Sequence, residues 1–350
     1  MRIITENPMK SQWLLLSHFT YQANIENYFS NNKIVFTDPI IFSYISGCIK
    51  QAEAYFLTGR EAPLDILPLV VYYGTVCLLS GVAALTSGII PDIKNHGMYL
   101  EDWTNQISEI VIHPKDSANG ALQLLSNIYS PGISFTNTIS WNFWEVISFL
   151  PEIRSDFISL YKDKEPNTIP LEQARKANLI FERADLKDLI RIQDIEKKIP
   201  TILNYSKSYL DPMITKTHLI LYKKMPLFEI GCYSIFGKKH LLIPILKNGT
   251  MVSINPLIGY FMGLYVLGIL SRYNPEKWFP FTSNDSSGER LLIEVFLLNA
   301  LRVVPNLVLN FIHNESVQFS FQDEKTTNLS SPIYKEEIEE IVNDLLKKGT

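Results

Sequence analysis

Few residues in this chain are of a type and placement that could do chemistry. Asn95 and His96 lie in the turn after a long uncharged, apolar run, and Arg272, Tyr273, Trp278 and Glu294 follow a second apolar run far along the sequence. If the fold joins those two ends, His96 would serve as acid/base and Arg272 as an anion clamp, with the other four lining a shared polar pocket. If it does not, His96 before Gly97 only caps a turn, and Arg272 binds the carbonyls that end its own helix. The structural roles are the default, and the pocket is the functional alternative. A second candidate is electrostatic. Lys216, Lys223, Lys224, Lys238, Lys239 and Lys247 face a single acid, Glu229, a local charge of +5. With Tyr222, Phe228, Tyr233 and Phe236 between them, these lysines could hold an anionic ligand or a nucleic-acid backbone. Lysines guarding strand edges explain the same pattern.

Other chemistries lack their residues. Gly231 to Lys239 has one residue too many between its glycines for a phosphate loop, and Lys239 stands where Ser or Thr would bind magnesium. There is no C-x-x-C, no H-E-x-x-H and no G-x-S-x-G, so no metal and no cofactor are expected. Cys48, Cys77 and Cys232 are odd in number and set in apolar surroundings, the pattern of buried free thiols in a reducing cytoplasm. A formal net charge of -4 over 350 residues gives no global attraction to nucleic acid or to anionic membranes.

The elements that must position these residues are mostly helices. Thr37-Asp38-Pro39 predicts a helix start and Gly59 its C-cap. A short loop then leads into the uncharged run Ile66 to Ile90, with Gly74, Gly81 and Gly88 one every seven residues. The two helices are expected to form an antiparallel pair. A second apolar helix starts at Asn255-Pro256 and carries Gly259, Gly263 and Gly268. A glycine inside a helix costs roughly 1 kcal/mol against alanine, so these notches imply close packing, within the chain or against a second copy. The polar residues in both runs, and the turn at Asn248-Gly249, argue for buried core helices over membrane spans. Further helices are expected over Ser11 to Asn32, from Trp141 with a break at Pro151, over Ala184 to Ile199, and over Glu289 to Asn310. Lys162 to Pro170 reads as a loop. Ile107 to Ile112 and Ala121 to Tyr129 read as a β-hairpin. His218 to Tyr222, Leu227 to Phe236, His240 to Leu246 and Met251 to Ile254 read as an antiparallel meander.

The expected fold is therefore α+β, mainly α. One domain spans 1–321, with a helical core at 38–97 and 256–312 and β-rich insertions at 107–129 and 217–254. A linker and a charged helix follow at 322–350.

Across SQWLLLSHF, YYGTVCLLSGVAALTSGIIPDIKNHG, EIVIHPKDSANGALQLL, PLIGYFMGLYVLGILSRYNPEKWFPF and LLIEVFLLNALRVVPNLVLNFI, the chain resembles the bacterial YaaC-like family. That likeness covers most of Ser11 to Ile312 and implies no reaction. Lys50 to Gly59 followed by Tyr72-Tyr73-Gly74 is similar to HEPN-type helical bundles. The Arg-x4-6-His motif of catalytic HEPN ribonucleases is missing, because ten residues separate Arg302 from His313. The resemblance implies the bundle, and with it a setting in stress or phage defence. The function expected is a non-catalytic cytoplasmic adaptor or sensor, self-associating as a homodimer, that binds a partner protein or an anionic ligand. An atypical ribonuclease or nucleotide-acting toxin, and a nucleic-acid binder using the lysine-rich meander, are the alternatives. No membrane partner is expected.

Overall fold

The computed structural model describes residues 1–101, 106–131, 135–176, 179–185, 218–222 and 231–320. It opens with strand β1 (Arg2–Ile4), helix α1 (Pro8–Ser17) and helix α2 (Gln22–Asn32), the last two separated by a tight turn at His18–Thr20. Asn7 caps α1 by accepting the Lys10 amide at 3.0 Å.

Helix α3 (Ile40–Glu61) starts where Asp38 accepts the Ile40 amide at 2.9 Å. It runs past the expected stop. Gly59 lies inside the helix, and an added Cβ would stand 3.1 Å from Leu301 and 3.2 Å from Val71. Packing, not a left-handed turn, accounts for that glycine, and the helix ends at Ala62, held extended before Pro63.

Helix α4 (Leu67–Ser87) closes at Gly88 with φ +74°. Its notches face α3, as the antiparallel pairing requires. A Cβ on Gly74 would lie 2.9 Å from both Tyr55 and Phe56, and one on Gly81 would lie 2.7 Å from the Cys48 Cβ. The glycine faces are thus occupied within the chain.

Strands β2 (Met98–Leu100), β3 (Val111–Pro114) and β4 (Trp141–Asn142) form a small antiparallel sheet in that order. The expected hairpin is only half present. Its second arm is helix α5 (Ala121–Tyr129), because Ala121, Leu122, Leu125 and Tyr129 fall on one face at helical spacing and are all buried. The partner of β3 is instead β2. After β4 come α6 (Phe143–Ile147), started by a reciprocal cap between Asn142 and Glu145, a turn at Pro151–Ile153, and α7 (Arg154–Leu160). Trp141 is strand where helix was expected.

The expected meander is also rearranged. Strands β5 (Thr168–Lys176), β6 (Leu179–Asp185), β7 (His218–Tyr222), β8 (Gly231–Tyr233) and β9 (Lys239–Leu242) form one antiparallel sheet ordered β7-β6-β5-β9-β8. β5 and β6 separate β7 from β9; only residues 168–170 of β5 fall in the expected loop, and only Ala184 and Asp185 of β6 in the expected helix. Pro170 disguised β5, yet it pairs with His240 near the strand's start, and Thr168, Ile169 and Leu171 are buried. Ala184 and Asp185 close β6, and the rest of the helix expected over 184–199 lies outside the described residues. Strands β10 (Ile245–Lys247) and β11 (Thr250–Val252) form the expected hairpin through Asn248 and Gly249, both at positive φ.

Helix α8 (Pro256–Tyr273) begins with the Asn255 side chain accepting the Leu257 amide at 2.9 Å. Helix α9 (Pro275–Asn284), unannounced in the sequence, precedes the turn into α10 (Glu289–His313). Strand β12 (Gln318–Ser320) pairs in parallel with β1. The expected terminal linker and helix, 322–350, lie outside the described residues.

The core is continuous from Trp13 to Phe319, and α4 lies at its centre against α3, α8 and α10. Helices α4 and α10 are long and apolar enough to cross a membrane, but 67% and 61% of their most apolar windows are buried by the rest of the chain. The fold is α+β and mainly α.

Candidate functional site

The turn after α4 is welded to the start of α5. The Asn95 side chain accepts the Gly97 amide at 2.8 Å, and the Asn95 and His96 carbonyls accept the Ala121 and Leu122 amides at 2.8 and 3.2 Å. Gly97 has φ +75°, and an added Cβ would strike the Gln123 carboxamide at 2.2 Å. This bracing aims the half-buried His96 ring back at the bundle.

There His96 meets tyrosines that the sequence left unassigned. Its Nδ1 is 2.7 Å from the hydroxyl of the buried Tyr72, and the Tyr265 ring lies 5.3 Å away, itself anchored by a 3.0 Å bond to the Met98 carbonyl. Burial holds the His96 pKa below the usual histidine range, and the charges of Lys115 and Arg272 push the same way. Burial raises Tyr72 in turn, with Tyr265 and Tyr73 adding to it. The pair is therefore neutral. One hydrogen bond joins the Tyr72 hydroxyl and Nδ1, and the imidazole tautomer sets which of the two donates.

Arg272 does not simply cap its helix. Its guanidinium donates to the Tyr73 hydroxyl at 2.5 Å and lies 4.9 Å over the Tyr273 ring. Tyr73 stacks on Tyr55 at 6.3 Å. A continuous line thus runs from His96 through Tyr72 and Tyr73 to Arg272, joining the end of α8 to the turn after α4. Lys115 enters from the end of β3, where its backbone amide donates to the Gly97 carbonyl at 2.8 Å.

The other candidates lie elsewhere. Asn95 is exposed, shapes the turn and donates to Ser117 at 3.1 Å. Trp278 is buried beside Phe281, and Glu294 pairs with Arg290 at 2.8 Å, one turn away on α10. Of the lysines, Lys247 is engaged by Glu145 at 2.5 Å and lies over the Trp141 ring, so its charge is already matched. Lys238 and Lys239 flank the turn between β8 and β9, while Lys216, Lys223 and Lys224 lie outside the described residues. Tyr72 and Tyr73 showed themselves in sequence only through the helical-bundle likeness. Lys115 was hidden in what read as a hairpin loop.

The arrangement offers an imidazole N–H, a phenol and two cations. Among the described residues, no carboxylate adds to the charges acting on His96. That is a donor set for an anion. Among the described residues, no cluster of three or more His, Cys, Asp or Glu side chains could hold a metal ion.

The molecule is thus a mainly helical α+β protein whose candidate site forms where two core helices meet a histidine turn. The family model described as YaaC-like Protein matches residues 5–312, and the chain belongs to that family. No curated protein and no solved structure matches it.

Proposed function

We propose that this chain is a non-catalytic adaptor or sensor that takes an anionic ligand at the site formed by His96, Lys115 and Arg272. The observation that carries this reading is that two cations from separate elements act on one neutral, half-buried histidine, with no acid among the described residues opposing them. Such a rim attracts negative charge and supplies directional donors to receive it. Catalysis fits less well, since the Nδ1 of His96 is tied to a tyrosine that keeps its proton, and no second acid or base is paired with it. The HEPN-like reading is supported by the antiparallel α3–α4 pair, with Tyr72-Tyr73 near the start of α4 and a histidine turn after it. A homodimer would have to use side chains other than the glycine notches, which the chain itself fills.

Calorimetric titration with inorganic pyrophosphate and with ADP tests the proposal. Wild type should bind at least one of them, and Arg272→Gln and Lys115→Gln should each weaken binding about tenfold, the loss of one charge-assisted hydrogen bond. Absence of binding, or equal binding by all three proteins, refutes it. The juxtaposition of His96 and Arg272 also favours one enzymatic alternative, an atypical ribonuclease. RNA degradation by wild type that is lost in both His96→Ala and Arg272→Ala would establish that reading instead. Equal or absent degradation in all three would end it.

A further inference from the structure

A concavity lies further along the contact between α3 and α4, one to two turns from Tyr73 and Tyr55. The two helices touch most closely where Gly81 faces Cys48. Past Gly88 the chain runs back along this junction and leaves an open cleft of about 460 Å3 beside it. Its polar wall is Tyr44 and Cys48 from α3, with Cys77 and Ser80 from α4. Its apolar wall is Val76 with Ile90 and Ile93 from the returning segment. The volume is within the range of about 300–1,000 Å3 typical of small-molecule sites.

All four polar groups are neutral. Burial raises the Cys48 thiol and carries Cys77 up to about 11, helped by its neighbour Cys48. Burial likewise raises Tyr44, with its neighbour Cys48 adding to the shift. The Cys77 thiol also donates to Gln51 at 3.4 Å. The one charged group at the rim, Asp92, is drawn outward to Lys94 at 3.0 Å and Asn119 at 2.6 Å. A charged ligand would be desolvated there without a counter-charge. An uncharged one would meet an apolar floor and hydroxyl and thiol donors.

We propose that this cavity binds a small uncharged molecule carrying a hydrogen-bond-accepting oxygen on a largely apolar frame. The site is distinct from the cationic rim at His96 and stands whether or not that rim binds anions.

Prodan, a neutral naphthalene ketone whose emission shifts to the blue in apolar surroundings, is a suitable probe. Titration of wild type should give a saturable blue shift, and bound prodan should slow N-ethylmaleimide labelling of Cys77 at pH 8.5, read by mass spectrometry. Val76→Trp fills the cavity from α4 and should abolish the shift while keeping the wild-type circular dichroism. Should that variant misfold, Tyr44→Phe keeps the ring, removes the donor and should weaken binding about fivefold. No saturable shift with wild type, no protection of Cys77, or wild-type affinity in a folded Val76→Trp or Tyr44→Phe overturns the proposal.

Discussion

Glu152 gives the structure a measurable pH signature. It lies in the turn between α6 and α7, where one carboxyl oxygen accepts the Ile235 amide at 3.1 Å and the other is shut off from solvent without a partner. Burial lifts its pKa from the ordinary 4.5 to about 7, against the opposing pull of its backbone hydrogen bonds. The folded state therefore favours the protonated carboxyl. The contribution of this group to stability is fully present below pH 4.5 and is lost as the pH rises through 7. At about 1.4 kcal/mol per pKa unit, the loss is on the order of 3 kcal/mol. The wild-type profile alone would hide it, because His240, held down at about 4 mainly by burial, loses stability in the opposite sense as the pH falls from 6.5. Glu152→Gln isolates it. The amide oxygen can still accept from Ile235, and the amide protons bring donors to a region where the Tyr260 hydroxyl has no partner. In urea titrations followed by tryptophan fluorescence, the variant should be more stable than wild type by about 2–3 kcal/mol at pH 8, with the gain shrinking toward zero at pH 4.5. The His240 term is common to both proteins and cancels in the difference. A wild-type-minus-variant difference that is the same at pH 5 and pH 8 would refute the reasoning.

Three further outcomes follow from contacts. Gly81→Ala puts a methyl 2.7 Å from the Cys48 Cβ, an atom fixed to its backbone, and should destabilise by about 1–3 kcal/mol in thermal melts, whereas Gly47→Ala, in α3 with open space around it, should stabilise by about 0.5–1 kcal/mol. Arg272→Gln removes one of the charges that hold the His96 pKa down, so the imidazole pKa should rise in an NMR titration; an unchanged pKa would contradict that electrostatic link. Glu289→Ala leaves the Ile107 and Ser108 amides and the Tyr161 hydroxyl without their shared acceptor and should cost about 3 kcal/mol or more in urea unfolding, which Glu289→Gln should partly restore.

What could be read from sequence were signals that act locally. Asp38 and Asn255 announced their helices because a cap is a contact within three residues, and Asn248-Gly249 announced its hairpin because both residues must take positive φ. The failures have the opposite character. Gly59 looked like a stop, and only the approach of Leu301 and Val71 from other helices shows why it belongs inside one. Residues 168–170 looked like a loop because Pro170 breaks the pattern, and the strand exists because Leu242 to His240 pair with them from some seventy positions away. The site divides in the same way. His96 and Arg272 stood out as polar residues ending apolar runs, while Tyr72 and Tyr265 resembled the many other core aromatics.

The glycine notches and the candidate site are one arrangement. Gly74 admits the Tyr55 and Phe56 side chains so closely that α3 lies directly against α4, and this brings Tyr55 to stack on Tyr73. Gly268 lies in ordinary contact with Tyr72, its Cβ position 3.5 Å from the tyrosine Cβ, and from the same helix Tyr265 and Arg272 reach the tyrosine pair. A larger residue at Gly74 would push α3 off α4 and disturb the stacking of Tyr55 on Tyr73. The helical glycines cost stability locally. They recover it through packing, and that same packing sets the spacing of the groups proposed to hold an anion.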